Sequence, residues 1–328
     1  NGDNGGKGTL KVVGSSFVAN TATPLPMGCV TADMCSMYSY GGGGGAIDNG
    51  DDGGHGTLAV SGSTFSGNSA HVGGAIANSG GTGSLSTSTF TADAAGYGGA
   101  VWDGNGSGSS APGATLSVSA STFSGDTAAA NGGAVDIYAG SVVVSASTFS
   151  ANRALGNKNA PGVDAYNAPG VGGAIANTDA GPSTLALWAS TLSANTAKAG
   201  GAVNNGDMGA KGVVAAAADI LNGTCHQLAV GTWQDEGYNI GSDATCLKIG
   251  TGDVGHGAGL LAPLAHNGGP TETILALAAN PAVGVVPLNT TVKLNGRSVT
   301  LCPTIDQRGV HSAVGKACNA GAVQSSAP

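Results

Sequence analysis

The stretch Gly73-Gly74-Ala75-Ile76-Ala77-Asn78, followed after a Gly/Ser/Thr turn by Leu85-Ser86-Thr87-Ser88-Thr89-Phe90-Thr91-Ala92-Asp93, holds one whole structural unit. Period-two alternation puts Ile76 inward on a first strand and Leu85 inward on a second, with Ser86 and Ser88 facing out. Leu85 and Phe90 have opposite parity, so both point inside only if the chain turns between them. Thr89-Phe90 then opens a third short strand. Three strands per turn is the cross-section of a parallel β-helix.

The unit recurs along the chain. Gly-Gly-Ala-(Ile/Val) stands at Gly44 to Ile47, Gly73 to Ile76, Gly98 to Val101, Gly132 to Val135, Gly172 to Ile175 and Gly200 to Val203, alternating with Ser-(Ser/Thr)-Phe-x-x-(Asn/Asp). All five phenylalanines, Phe17, Phe65, Phe90, Phe123 and Phe149, share one place in the second phrase, and Leu192 fills it in a sixth copy. A unit with one inward aromatic cannot bury its apolar face alone, so units stack and equivalent side chains form columns about 4.8 Å apart. Asn49, Asn78, Asp103, Asn177 and Asn205 form one column, interrupted by Ile137. Asn20, Asn68, Asp93, Asp126, Asn152 and Asn195 form another, at the turn after each Phe. Such Asx columns are expected to hydrogen-bond along the axis and to satisfy turn backbone. Longer intervals between phrases, at Thr21 to Tyr40, Gly104 to Gly113 and Leu155 to Pro169, are rich in Gly, Pro, Asn or Ser and are expected to protrude as loops that carry recognition.

With only 4% aromatic residues and 60 glycines in 328, the chain is too poor in bulky groups for a conventional core, while 41% hydrophobic content suffices for the thin, continuous core of a solenoid. The net charge is −8 and the eleven Lys and Arg are scattered, so no basic stripe exists to hold a nucleic acid. No stretch is long and apolar enough to span a bilayer.

The six cysteines fall into three pairs close in sequence: Cys29 with Cys35, Cys225 with Cys246, and Cys302 with Cys318. Proximity predicts local disulfides, and an even count in a Gly-rich, low-charge chain points to an oxidising extracellular compartment. Asn1 to Leu10 matches Asn49 to Leu58, but without the Gly-Gly-Ala-Ile that precedes the second copy. The sequence therefore predicts an open first coil through which copies of the chain associate as dimers or filaments. The expected organisation is all-β: a right-handed parallel β-helix over 1–221, then C-terminal coils and an irregular, disulfide-stapled capping segment over 222–328.

The motifs Gly73-Gly74-Ala75-Ile76 and Phe65-Ser66-Gly67-Asn68 resemble the repeats of chlamydial polymorphic outer membrane protein passengers, which are β-helical adhesins. The C-terminal third is similar to the bacterial choice-of-anchor Q proteins at Gly237 to Gly241, Leu264 to Thr271, Asp306-Gln307-Arg308-Gly309 and Cys318 to Val323. Asn280-Pro281-Ala282-Val283 departs from the Ser-Pro-Ala-Ile-Asp that the second family would place there. Together these resemblances imply a secreted or surface-displayed β-helix, and they supply no catalytic residue.

Right-handed β-helices also include polysaccharide lyases and hydrolases. After each Gly-Gly-Ala-(Ile/Val) the expected exposed residues are Asp48, Ala77, Trp102, Asp136, Ala176 and Asn204. On an enzyme reading Asp103 and Asp136 are the acid pair, with Trp102, Asp136 and Tyr138 lining a sugar site where the indole stacks on a ring. The Ser-x-Ser pairs Ser61/Ser63, Ser86/Ser88, Ser119/Ser121 and Ser145/Ser147 would offer a flat hydroxyl array to carbohydrate or ice. His55, His71, His226, His256, His266 and His311 share no spacing that suits a metal, so neither metal nor cofactor is expected. Asp306 and Arg308 are expected to order the C-terminal segment as an ion pair. The leading functional reading is a non-enzymatic extracellular protein acting in adhesion or as a scaffold, with copies of itself or surface glycans as partners; the alternative is a carbohydrate-active enzyme.

Overall fold

The computed structural model describes residues 1, 6–23, 43–50, 55–105, 113–160, 163, 169–178, 182–206, 211–228, 230–248, 250–312 and 315–324. Their regular structure is entirely β, and all but one hairpin is parallel and stacked coil on coil in the right-handed sense. A long-strand sheet runs Thr9–Val13, Thr57–Ser61, Thr82–Ser86, Thr115–Ser119, Ser141–Ser145, Thr184–Trp188, Val213–Ala217 and Thr232–Asp235. A second sheet carries the Phe strands: Ser16–Val18, Thr64–Ser66, Thr89–Thr91, Thr122–Ser124, Thr148–Ser150, Thr191–Ser193, Ile220–Asn222 and Ile240–Gly241. The glycine-alanine motif opens six strands of a third, Ile47–Asn49, Ile76–Ser79, Val101–Gly104, Val135–Tyr138, Ile175–Thr178 and Val203–Asn205, and Cys225–Gln227, which lacks the motif, completes it. The coils thus continue past residue 221 to Gly241.

Some turns have a fourth strand, which the three-strand expectation omits. Ser69–Val72, Ala94–Tyr97, Thr127–Ala128 and Arg153–Ala154 pair in a small sheet of their own. The Asn/Asp corner after each Phe turns the chain once more and leaves an extended segment before the next glycine pair.

The core is a set of columns. Phe65, Phe90, Phe123 and Phe149 are fully buried, and their rings stack in parallel with centroids 4.6 to 4.8 Å apart. Phe17 ends the stack, half-buried, 4.8 Å from Phe65. Ile76 and Leu85 point inward as alternation requires.

The kink between Leu85 and Phe90 is at Thr87, whose φ is +46°. Equivalent left-handed residues are Ala120, Ala146, Ala189 and Ala218, and Gly14 and Gly62 serve earlier coils. A left-handed non-glycine residue costs about 1 to 2 kcal/mol, and the next side chain offsets it. Ser88 Oγ accepts from Ser63 N at 3.2 Å and donates to Ser86 O at 2.8 Å. The same bonds link Ser88 to Ser121, Ser121 to Ser147 and Ser147 to Ser190. Ser63, Ser88, Ser121 and Ser147 are therefore buried, not outward, because the left-handed residue resets the alternation one position early.

Glycine is needed twice in each motif. The first, such as Gly98 with φ +62°, turns the chain, and the second, such as Gly99, lies against the backbone carbonyl of the coil above.

The C-terminal segment is divided between two tasks. Cys246 is buried in the core, with Trp233 and Leu247 packed against it, and Cys225 and Cys246 are bonded, so this disulfide staples the cover over the last coil. Residues beyond that cover turn back along the flanks. The Cys302–Cys318 disulfide, predicted to block the end of the solenoid, instead joins a lateral pad in which Val286, Leu294 and Leu301 pack on Ala186, Ala215 and Ala217 of the long-strand sheet. The Cys29–Cys35 pairing lies outside the described residues. Two local disulfides fit an oxidising compartment.

Candidate functional site

Between the described strands of the coils, the long intervals fall at the two corners that border the glycine-alanine sheet. The corner between the long-strand sheet and the Phe strands keeps two residues in every turn, from Gly14-Ser15 to Ala218-Asp219. The corner after the Phe strands also keeps two, as in Ala92-Asp93 and Ala151-Asn152, before the chain resumes on the fourth side. By contrast, the step from the glycine-alanine sheet to the long-strand sheet is Gly80-Gly81 in one coil and residues 105–114 in the next. The approach to the same sheet is Gly98 to Ala100 in one coil and residues 155–174 in another. The serine and Asx ladders explain the constancy, since an extra residue would break a bond to both neighbouring coils.

This loop-flanked sheet carries most of the candidate residues, and the structure buries nearly all of them. Ala77, Trp102, Asp136, Ala176 and Asn204, expected on the surface, are at most 8% exposed, while Asp48 is half-buried. Trp102 packs with Val72 and Ala77, and Tyr97 and Tyr138 close the cluster. The Trp102 and Tyr138 rings lie 6.1 Å apart at 27°. A side chain on Gly104 would run into the indole, so this glycine lets Trp102 lie flat along its own strand. The indole face is thus occupied by protein, and the expected sugar-stacking shelf is a small outer core.

Asp136 and Asp103 do not form an acid pair. Trp102 and Asp136 are in register on the outer side, where Asp136 Oδ1 accepts from Thr178 Oγ1 at 2.8 Å. Asp103 points the other way, into the solenoid, and accepts from Asn78 Nδ2 at 2.7 Å. Burial pushes its carboxyl up to about 8. The two carboxyls therefore lie on opposite faces of one sheet, which removes the glycosidase geometry. Tyr138 is the one predicted ligand-binding side chain left half-exposed. Further along the sheet, His226 Nδ1 meets Asn204 Oδ1 at 2.8 Å. His71 is buried beside Tyr97, their rings 5.9 Å apart at 68°, and burial lowers its pKa. Among the described residues no three His, Cys, Asp or Glu side chains group as metal ligands.

Asp103 belongs instead to the inner amide ladder. Asn1 Nδ2 donates to Asn49 Oδ1, Asn49 to Asn78 and Asn78 to Asp103, each at 2.7 to 2.8 Å. After the gap at Ile137, Asn177 donates to Asn205 at 2.8 Å. Ile137 leaves Asp103 Oδ2 below it and Asn177 Oδ1 above it buried without partners. Ile137→Asn should therefore cost less than about 1.5 kcal/mol in urea denaturation. The same change at inward Ile175, where no amide column awaits it, should cost about 3 kcal/mol or more.

The C-terminal flank has a polar lock that the sequence marked only as a motif. Gln307 is 1% exposed, and its Nε2 donates to Ser121 O at 3.2 Å and Thr122 Oγ1 at 2.9 Å while its Oε1 accepts from Thr148 Oγ1 at 2.6 Å. Arg308 donates through Nε and Nη2 to Asp306 Oδ2 at 2.9 and 2.7 Å, and Asp306 also accepts from the backbone of Arg308, Val310 and Gln324. This is the ordering role expected of the Asp306–Arg308 pair. No family model, curated protein or solved structure matches the chain.

Proposed function

We propose that the chain is an extracellular, non-enzymatic β-helix protein of the adhesin or scaffold kind, which recognises a surface glycan through the loops around its glycine-alanine sheet. One observation carries this reading: every long insertion borders that sheet, while the other corners are held to constant length. A rigid solenoid with variable loops gathered on one side presents recognition on a fixed frame. The opposed placement of Asp103 and Asp136 weighs against the carbohydrate-active alternative.

The test is a glycan array and a cell-binding assay with the full chain, beside variants in which residues 105–114 are replaced by Gly-Gly or residues 157–168 are shortened. Binding should fall at least tenfold in a loop variant whose melting temperature is unchanged. Unchanged binding in both variants would overturn the loop assignment, and release of sugar fragments from a polysaccharide panel would favour the enzyme.

A further inference from the structure

At the Asx corner the ladder follows a fixed rule. Asn20 donates through both its backbone N and Nδ2 to Asn68 Oδ1, at 3.0 and 2.8 Å, and Asn152 does the same to Asn195 Oδ1, at 3.0 and 2.9 Å. Asn68 donates in the same two ways to Asp93 Oδ1, at 2.7 and 2.8 Å. Aspartate then occupies two successive rungs. Asp93 N donates to Asp126 Oδ1 and Asp126 N to Asn152 Oδ1, both at 2.9 Å. Each Oδ1 thus plays its amide counterpart's part, but each Oδ2 takes the place of a donating Nδ2 and has no hydrogen to give when ionised. Asp93 Oδ2 and Asp126 Oδ2 are both buried without a hydrogen-bond partner. Asp103 Oδ2 and Asp219 Oδ2 share that condition in their own columns.

We propose that Asp93 and Asp126 are held as neutral carboxylic acids whose Oδ2 hydrogens replace the amide donors of the ladder, which makes this corner a proton-operated latch between coils. A proton on Asp93 Oδ2 is donated to Asp126 Oδ1, and one on Asp126 Oδ2 to Asn152 Oδ1, so two acids restore the unbroken run from Asn20 to Asn195. Ionisation would leave acceptor facing acceptor and two like charges on adjacent rungs in a dry corner.

The electrostatics agree with the geometry. Burial raises Asp93 from its ordinary 3.8 to about 6, against the bonds from Asn68 that favour its charged form. Burial raises Asp126 well above the same value, and the charge of Asp93 adds to the rise. The groups bonded to the pair are Asn68 below and Asn152 above, with the backbone of Thr91 beside Asp93. Arg153, in register with Thr127, is exposed to solvent. The folded state therefore binds more protons than the unfolded chain above pH 3.8. This contribution to stability is full in acid and is lost as the pH rises through about 6 for Asp93, and for Asp126 as the pH rises well above 3.8.

Thermal unfolding of the full chain from about pH 4 to about pH 8, beside Asp93→Asn/Asp126→Asn, tests the latch. Wild type should lose several degrees of melting temperature over that range. The double variant, with permanent amide donors, should lose less and melt above wild type at neutral pH. The infrared carbonyl band of a protonated carboxylic acid, present in wild type at about pH 5, should diminish in the variant. Parallel pH profiles for the two proteins would overturn the proposal, as would a stoichiometric cation in dialysed wild type that the variant lacks. If the double variant does not fold, the wild-type infrared band decides: its absence at about pH 5 overturns the latch.

Discussion

Phe123→Ala is expected to lower stability by about 3 to 5 kcal/mol, the ordinary cost of emptying a fully buried Phe site. Phe123 is enclosed above and below by parallel rings, with centroids 4.6 Å from Phe90 and 4.7 Å from Phe149. Its separation from them is fixed by the backbone hydrogen bonds of the coils, so the neighbouring rings cannot close the gap without breaking strand pairing, and the void persists. The same coil carries Thr122, the anchor for Gln307, so loosening it should also free the C-terminal flank. Phe17→Ala is the internal comparison. That ring is half-buried with one ring neighbour, and its loss should cost less than half as much. Urea denaturation of the two variants gives the ratio, and hydrogen exchange should show the loss of protection centred on the coils around Phe123. Equal costs at both positions would mean that the ring column is not what holds the coils together.

Much of this architecture was legible because a solenoid repeats its constraints. The Phe phrase, the parity change before Phe90 and both Asx columns each recur at coil spacing, and each is where the structure has it. Ser88 was misread because alternation was counted through Thr87, and one left-handed residue shifts everything after it by one place. Burial of Trp102 could not be read from its own strand, since Val72 and Tyr97, which cover it, belong to other strands. The lateral pad also has a signal in the sequence. Val213-Val214-Ala215-Ala216-Ala217 abandons the apolar-polar alternation of earlier coils, and both of its faces are buried, one in the core and the other under the pad around Leu294 and Leu301. The candidate site was legible only as a place. The insertions mark the variable corners in the sequence, and most of their residues lie outside the described ones, whereas the roles given to Trp102, Asp103 and Asp136 assumed an exposed sheet in which all three are in fact buried.

Gly99→Ala should cost at least about 3 kcal/mol or prevent folding, although alanine is the smallest change available. The backbone at Gly99 has no positive φ, so dihedral strain is not the reason. Space is. A Cβ there would fall onto Gly133 O and lie 2.7 Å from Thr127 N and 2.8 Å from Thr127 C, all of them backbone atoms that no rotamer change can move. Relief requires the coils to separate, against the bonds from Gly99 N to Gly132 O at 2.9 Å and from Ala100 N to Ala134 O at 3.0 Å. The same closeness recurs from Gly45 to Gly173, each glycine set against the carbonyl of the corresponding glycine one coil further on, which is why the motif needs its second Gly and not any small residue. Gly125→Ala separates the two causes. Gly125 has φ +69° but open space around its missing Cβ, so alanine there should cost only the left-handed penalty, about 1 to 2 kcal/mol. Chemical denaturation of both variants decides the point. A Gly99→Ala cost no greater than that of Gly125→Ala would show that the coils can part cheaply along this sheet, and that the glycine pair serves the turn alone.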